Sequence, residues 1–204
     1  MPSYRAPLRD MHFVLNELLD APAHYRRLQG CEAVTPDLLA AILDSGAKFA
    51  ENVAAPLNSV GDEHGCQFHN GQVTTPPGFR EAFAQYGEAG WQALGIPAEL
   101  GGQGLPNSVG MCVNEMIGGA NWALNMYSGL ANAPVTCLIH GGSEAQQATY
   151  LPKLISGEWG GTMCLTEAHC GSDVGLLRTK AVKQADGSYK LSGTKIFISG
   201  GEQD

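Results

Sequence analysis

The sequence predicts a mainly α fold in which a helical domain is followed by the first strands of a β domain. Three observations carry this. Apolar residues recur at three- and four-residue steps from Asp10 to Leu154, and beyond Thr162 the period drops to two. Asp186-Gly187, a strong hairpin dipeptide, separates two of the short alternating runs.

Met11, Val14, Leu15, Leu18 and Leu19 form one stripe of a first helix over Asp10 to Leu19, which Pro22 closes. Thr35 is the expected N-cap of the next helix, with Pro36 at its first position, where a missing N–H costs nothing. Leu39, Ile42, Gly46, Phe49, Val53, Leu57 and Val60 then mark one long amphipathic helix, bent near Pro56. Gly61 to Thr75 is rich in turn residues, with Asn70-Gly71 as its signal. Phe79, Phe83 and Tyr86 mark a third helix ending at an aromatic cluster around Trp91.

Helical spacing resumes at Val109 and runs through Val113, Met116, Ile117, Ala120 and Leu124 to Tyr127, across the close-packing pair Gly118-Gly119. Ser143 and Gln146 form a capping box that opens a last helix through Tyr150 and Leu154. Four strand-like runs follow: Thr162 to Thr166, Leu177 to Lys183, Tyr189 to Leu191 and Lys195 to Ser199. So few strands leave open hydrogen-bonding edges, so further strands are expected beyond residue 204.

Composition narrows the function classes. The 204 residues are 44% hydrophobic and 16% charged, which excludes a disordered chain, a coiled coil and a disulfide-stapled miniprotein. Twelve basic residues against 20 acidic ones leave a net charge of −8, and no Lys or Arg lies between Arg80 and Lys153. A nucleic-acid groove needs clustered cations, so none is expected. The six cysteines form no C-x-x-C pair, which predicts reduced thiols and no metal site. No apolar run reaches the roughly 18 residues of a membrane span, and no secretory leader opens the chain, so the expected location is the cytoplasm.

The segment Met163 to Asp173 concentrates the chemistry. A strand there runs into a turn presenting the Thr166 hydroxyl, successive backbone N–H groups and the Ser172 hydroxyl, a set that can hold an anion without a cation. Phe197, on the later strand, offers a flat apolar face for a ring. The plainer reading is a strand, a serine turn and a core Phe. His24, His64, His69 and His140 read as surface or capping residues, because no nucleophile pattern surrounds them.

Thr166-Glu167 followed by Gly171-Ser172-Asp173, with Lys195-Ile196-Phe197-Ile198-Ser199-Gly200 later, resembles the T-E-P-x-x-G-S-D and K-x-W-I-T-N/S-G signatures of the acyl-CoA dehydrogenase family. Leu94-Gly95-Ile96-Pro97 with Gly101 to Pro106 resembles the family's loop before its fourth helix. Tyr150-Leu151-Pro152-Lys153-Leu154 through Gly157-Glu158 resembles its lead into the β domain. Tyr4 to Leu19 resembles the extension of the larger bacterial branch, that of 3-methylmercaptopropionyl-CoA dehydrogenase-like enzymes. The resemblance implies an extension over residues 1–33, the N-terminal helical domain over 34–158 and the start of the middle β-barrel domain over 159–204.

It also implies an FAD-dependent enzyme that oxidises an acyl-CoA to the 2-enoyl-CoA and passes electrons to an electron-transfer flavoprotein, as a homodimer or homotetramer. The implied FAD contacts are Met163, Leu165, Thr166, Gly171, Ser172, Phe197 and Ser199. Leu165 and Thr166 fall on the pyrimidine side of the flavin, and Ser172 on its pyrophosphate or on bound acyl-CoA. Phe197 stacks on the ring and Ser199 donates toward N5.

Ala168 stands where the family has proline, Phe197 where it has tryptophan and Ser199 where it has threonine. His169 and Cys170 are unusual in that loop. The family's catalytic base belongs to its C-terminal helical domain, so no catalytic residue is expected in this chain, and Glu167 is expected to stabilise a turn. An acyl-CoA oxidase, an alkylation-response-type flavoprotein and a cofactor-free helical interaction module are the rival readings. Flavin absorbance separates the last of these from the rest.

Overall fold

A computed structural model describes residues 3–203. The chain divides into two compact units: one holds the chain up to Gly161 with Glu202 and Gln203, the other is Thr162–Gly201.

The helical unit begins with a strap. The Ala6 N–H donates to Glu51 Oε1 at 2.9 Å and Arg5 reaches Glu51 Oε2 at 2.8 Å, while Tyr4 packs over Gly119, where an added Cβ would stand 3.2 Å from the tyrosine oxygen. α1 (Leu8–His12) follows and widens into a π-turn, Phe13–Leu18. That turn accounts for the stripe being only half realised. Met11 and Leu15 are buried, but the i→i+5 winding carries Val14, Leu18 and Leu19 to the surface. Asp20, at φ 44°, reverses the chain into α2 (Ala21–Tyr25). Pro22 therefore opens this second helix rather than merely closing the first.

Thr35 caps α3 (Pro36–Phe49), its hydroxyl accepting from the Leu38 N–H at 3.2 Å. A π-turn, Ala50–Ala54, joins α3 to α4 (Ala55–His64), and Pro56 sits in the first turn of α4. The distortion expected near Pro56 is thus absorbed just ahead of it. Leu39, Leu43, Ala47, Ala50 and Ala54 form the buried face. Gly46 lets α6 (Asn107–Ala120) come close, since an added Cβ would stand 3.0 Å from Met116 and 3.2 Å from Val113.

Beyond α4 the turn-rich stretch holds a hairpin that the sequence marked only by its turn. β1 (Gln67–His69) pairs antiparallel with β2 (Gln72–Thr74), and Asn70 and Gly71 both have positive φ, as a type I′ turn requires. The third helix forms as expected, α5 (Phe79–Glu88), but its ring contacts centre on Tyr86 rather than on Trp91: Phe83 and Tyr86 stack at 6.3 Å and Tyr86 stands edge-on to Phe49 at 6.0 Å.

The helix expected from Val109 through Tyr127 is broken. α6 stops at Ala120, Asn121 turns extended at φ −157°, and α7 (Trp122–Gly141) begins afresh. The Asn121 side chain accepts from the Leu124 N–H at 2.9 Å and donates to the Ala54 carbonyl at 3.1 Å. One residue thereby caps α7 and ties the helix joint to the π-turn. α8 (Glu144–Ile155) starts with the expected capping box. The main core gathers Leu39, Leu43, Val109, Val113, Met116 and Ile117, and a smaller cluster joins Ile96 and Val135 to Leu151 and Leu154.

In the second unit β3 (Lys180–Lys183) and β4 (Tyr189–Ser192) form the expected hairpin, with Gly187 at φ 86° and the Asp186 carboxylate accepting from Ser188. The other two runs read as strands, Thr162 to Thr166 and Lys195 to Ser199, form no ladder. Phe197, at φ 56°, interrupts the second of them, and extended pairing cannot continue through a left-handed residue.

Candidate functional site

Although they build no ladder, those two runs are brought together. The Ile196 N–H donates to the Thr166 carbonyl at 2.9 Å, and the Thr162 hydroxyl donates to the Ser199 carbonyl at 2.6 Å. The segments therefore run antiparallel, with Thr166 at one end and Ser199 at the other.

The bond that holds them is a buried carboxylate. Glu167, 4% exposed, accepts from the Arg178 N–H at Oε2 and from the Thr179 N–H and the Lys195 ammonium at Oε1, each at 2.9 Å. Lys195 also donates to the Leu165 carbonyl at 2.9 Å. Three separate stretches thus converge on one anion. The Thr179 hydroxyl beside it, the Lys195 ammonium and the two backbone N–H groups hold the Glu167 carboxyl well below the usual carboxylate range. The expected turn-stabilising role is what Glu167 performs. Paired backbone donors do gather an anion in this unit, at Arg178 and Thr179, and the anion is the protein's own.

Backbone bonds between Glu167 and Cys170, 2.9 and 3.1 Å, close the turn and place His169 Nε2 3.6 Å from Glu167 Oε2 and 3.0 Å from the Leu176 carbonyl. Ser172 lies exposed at the start of the next turn, its carbonyl accepting from Val174, while Asp173 caps Gly175 at 3.2 Å. Met163, Leu165 and Phe197 are all exposed, Phe197 to 87%. Phe197 and Ser199 do not share a strand face, since alternation is lost at the left-handed backbone of Phe197.

The helical unit carries a separate cleft of about 900 Å³ between α5 and the turn after α8, bordered by Arg80, Phe83, Glu88 and Trp159. Lys153 stands 4.6 Å above the Trp159 ring and pairs with Glu158 at 3.0 Å. No sequence pattern marks this cleft, because its walls come from segments some seventy residues apart.

The acyl-CoA dehydrogenase N-terminal domain is the family description that matches, over residues 37–158. The chain belongs to the acyl-CoA dehydrogenase family. A 3-methylmercaptopropionyl-CoA dehydrogenase from Ruegeria pomeroyi is 42% identical over 99% of this chain and 34% of its own length. The chain thus spans about a third of the length of the curated relatives it matches. Among solved structures, the electron transferring flavoprotein work on Acidaminococcus fermentans includes a chain 29% identical, with TM-score 0.68 over 82% of this chain and 41% of that one. An acyl-CoA dehydrogenase complexed with FAD, from Bacillus anthracis, is 26% identical, with TM-score 0.66 over 82% of this chain and 27% of that one. Among the described residues no helix is long and apolar enough to cross a membrane.

Within the family motifs, reading the sequence missed the use of Lys195 and of the Arg178 and Thr179 amides. Lys195 was visible as the first residue of its motif. The amides carried no signal, since any non-proline residue supplies one.

Proposed function

We propose that this chain is the N-terminal part of an FAD-dependent acyl-CoA dehydrogenase that oxidises the α,β C–C bond of an acyl-CoA thioester to the 2-enoyl-CoA. In this reading residues 1–33 are an extension, 34–158 the helical domain and 159–204 the start of the middle β domain. The enzyme is a cytoplasmic homo-oligomer that passes its electrons to an electron-transfer flavoprotein.

The observation that carries the reading is Phe197. A bulky side chain on a left-handed backbone, 87% exposed, is a local strain without packing to justify it, and such strain gathers at ligand sites. Its segment pairs antiparallel with Thr162 to Thr166, which carries the exposed apolar side chains of Met163 and Leu165.

FAD, when bound, supplies the acceptor for the substrate hydride. Phe197 and Leu165 cover the ring and keep water from it. The Thr166 and Ser199 hydroxyls would hold the flavin by donating to it, which would steady the negative charge that grows on reduction. Gly171 and Ser172 hold a phosphate oxygen. Glu167 does not serve as the base, because three hydrogen-bond donors keep it ionised and weakly basic, whereas a general base needs a pKa near the working pH. We assign proton abstraction to a carboxylate outside these 204 residues.

The test is FAD affinity in the whole enzyme, with Ser172→Ala as the probe. Losing one hydrogen bond to a charged oxygen weakens FAD roughly ten- to a hundredfold. An enzyme that binds no flavin refutes the reading, and a Ser172→Ala variant with unchanged affinity refutes the phosphate role.

A further inference from the structure

The turn Glu167–Cys170 brings three unlike metal-ligand atoms together. One carboxylate oxygen of Glu167, one ring nitrogen of His169 and the Cys170 sulfur all lie within 4.8 Å of one another. Sequence spacing gave no hint of this, because E-x-H-C is not a metal motif and no second pair stands at ligand distance. The isolated backbone bridge between Glu167 and Cys170 makes the cluster, by folding the first and last residues of the turn against each other.

We propose that this turn is a binding site for one zinc(II) ion, held by Glu167, His169 and the Cys170 thiolate, with the fourth coordination position open. The donor set is what selects the metal. Thiolate, imidazole and carboxylate together suit zinc, whereas magnesium and calcium take oxygen ligands alone.

Glu167 has room for the bond. Its Oε1 is filled by Thr179 and Lys195, but Oε2 takes only the Arg178 N–H among the backbone donors and keeps a lone pair on the side of His169. Of the two His169 nitrogens it is Nε2 that stands 3.6 Å from Glu167 Oε2, so ligation there requires the ring to give up its 3.0 Å contact with the Leu176 carbonyl.

Around a tetrahedral zinc such atoms sit about 3.3–3.6 Å apart, from bond lengths of ~2.0 Å to N and O and ~2.3 Å to S. The cluster must therefore tighten by about an ångström. His169 can supply that movement: its side chain is 33% exposed, while Glu167 is buried and Cys170 nearly so. The same exposure gives the ion its way in. On binding, the Cys170 thiol loses its proton to solvent, so affinity rises with pH. The Lys195 ammonium on Oε1 offsets part of the carboxylate charge, which makes the site weaker than one built from cysteines alone.

Cobalt(II) titration of the reduced chain tests this without reference to flavin. The expected result is one equivalent bound with a thiolate-to-cobalt charge-transfer band, displaced stoichiometrically by zinc. Cys170→Ser abolishes the band, His169→Gln weakens binding by at least about tenfold, and Cys164→Ser, at an exposed thiol outside the cluster, changes nothing. Gln keeps an N–H for the Leu176 carbonyl, so the turn survives that substitution, and far-ultraviolet circular dichroism checks each variant. Absence of a saturable one-equivalent site overturns the proposal. So does a band that persists in Cys170→Ser, or full affinity in His169→Gln, which reduces the site to a lone cysteine.

Discussion

Lys195 Nζ lies 2.9 Å from Glu167 Oε1 across 28 residues of sequence, and the same ammonium donates to the Leu165 carbonyl. Together with the Ile196-to-Thr166 and Thr162-to-Ser199 bonds, this cation fastens the Lys195–Ser199 segment to the Thr162–Thr166 segment where no β-ladder does so. The two family motifs of the second unit are thereby one structure, with Glu167 at its centre. Lys195→Met removes both bonds and leaves the Ile196-to-Thr166 bond unsupported. Amide exchange at Ile196 is expected to rise by at least about tenfold, the consequence of losing a charge-assisted hydrogen bond, with the helices of the first unit unchanged. Unchanged exchange at Ile196 would show that the backbone bonds suffice.

Asn121 links the helix joint to the Ala54 carbonyl and also caps α7. Asn121→Ala should cost about 0.5–2 kcal/mol for the cap and about 1–3 kcal/mol for the buried carbonyl left unpaired. Asn121→Asp keeps the cap acceptor but turns a buried carboxylate oxygen onto the Ala54 carbonyl, so it should cost at least as much as Ala. Urea unfolding followed by helical circular dichroism measures both. Equal stability of Asp and wild type would mean that the Ala54 bond contributes nothing.

The legibility of this chain follows the range of each signal. Thr35 with Pro36, Ser143 with Gln146 and Asp186 with Gly187 act within three residues, and all three stand as read. Asn121 interrupts a run whose spacing is helical on both sides, and its partner lies 67 residues away. The strands of the β1–β2 hairpin are three residues each, too short for their alternation to stand out, so only the Asn70-Gly71 turn was visible. Lys195 to Ser199 reads as a strand because Ile, Phe and Ile favour one, and nothing in a phenylalanine announces a left-handed backbone. The turn around Glu167 was legible as a motif; the donors that converge on it were not.

Glu51 holds the N-terminal strap, and its carboxyl is lowered first by the Ala6 N–H and then by Arg5. The folded pKa lies below the ordinary 4.5, so the unfolded chain binds more protons in acid. The strap's contribution is complete above that value and is lost as pH falls from 4.5 through the folded pKa. Exchange at the Ala6 amide, beyond its intrinsic pH dependence, should rise only in that acid window. A rise centred near neutrality would point to another group.

Phe197→Gly separates stability from cofactor binding. The ring is 87% exposed, so its removal gives up little packing, whereas a non-glycine residue at φ 56° carries about 1–2 kcal/mol of left-handed strain. Glycine relieves that strain, partly offset by its greater freedom in the unfolded chain. The second unit should therefore become more stable by up to about 1 kcal/mol, seen as slower exchange in the Glu167 turn. If Phe197 covers the flavin, the same change removes a ring contact of about 0.5–1.5 kcal/mol and weakens FAD by up to about tenfold in the whole enzyme. Gain in stability with loss of affinity is the signature of strain kept for a ligand. Gain in stability with unchanged affinity would strike Phe197 from the flavin contacts and leave its backbone strain without an assigned purpose.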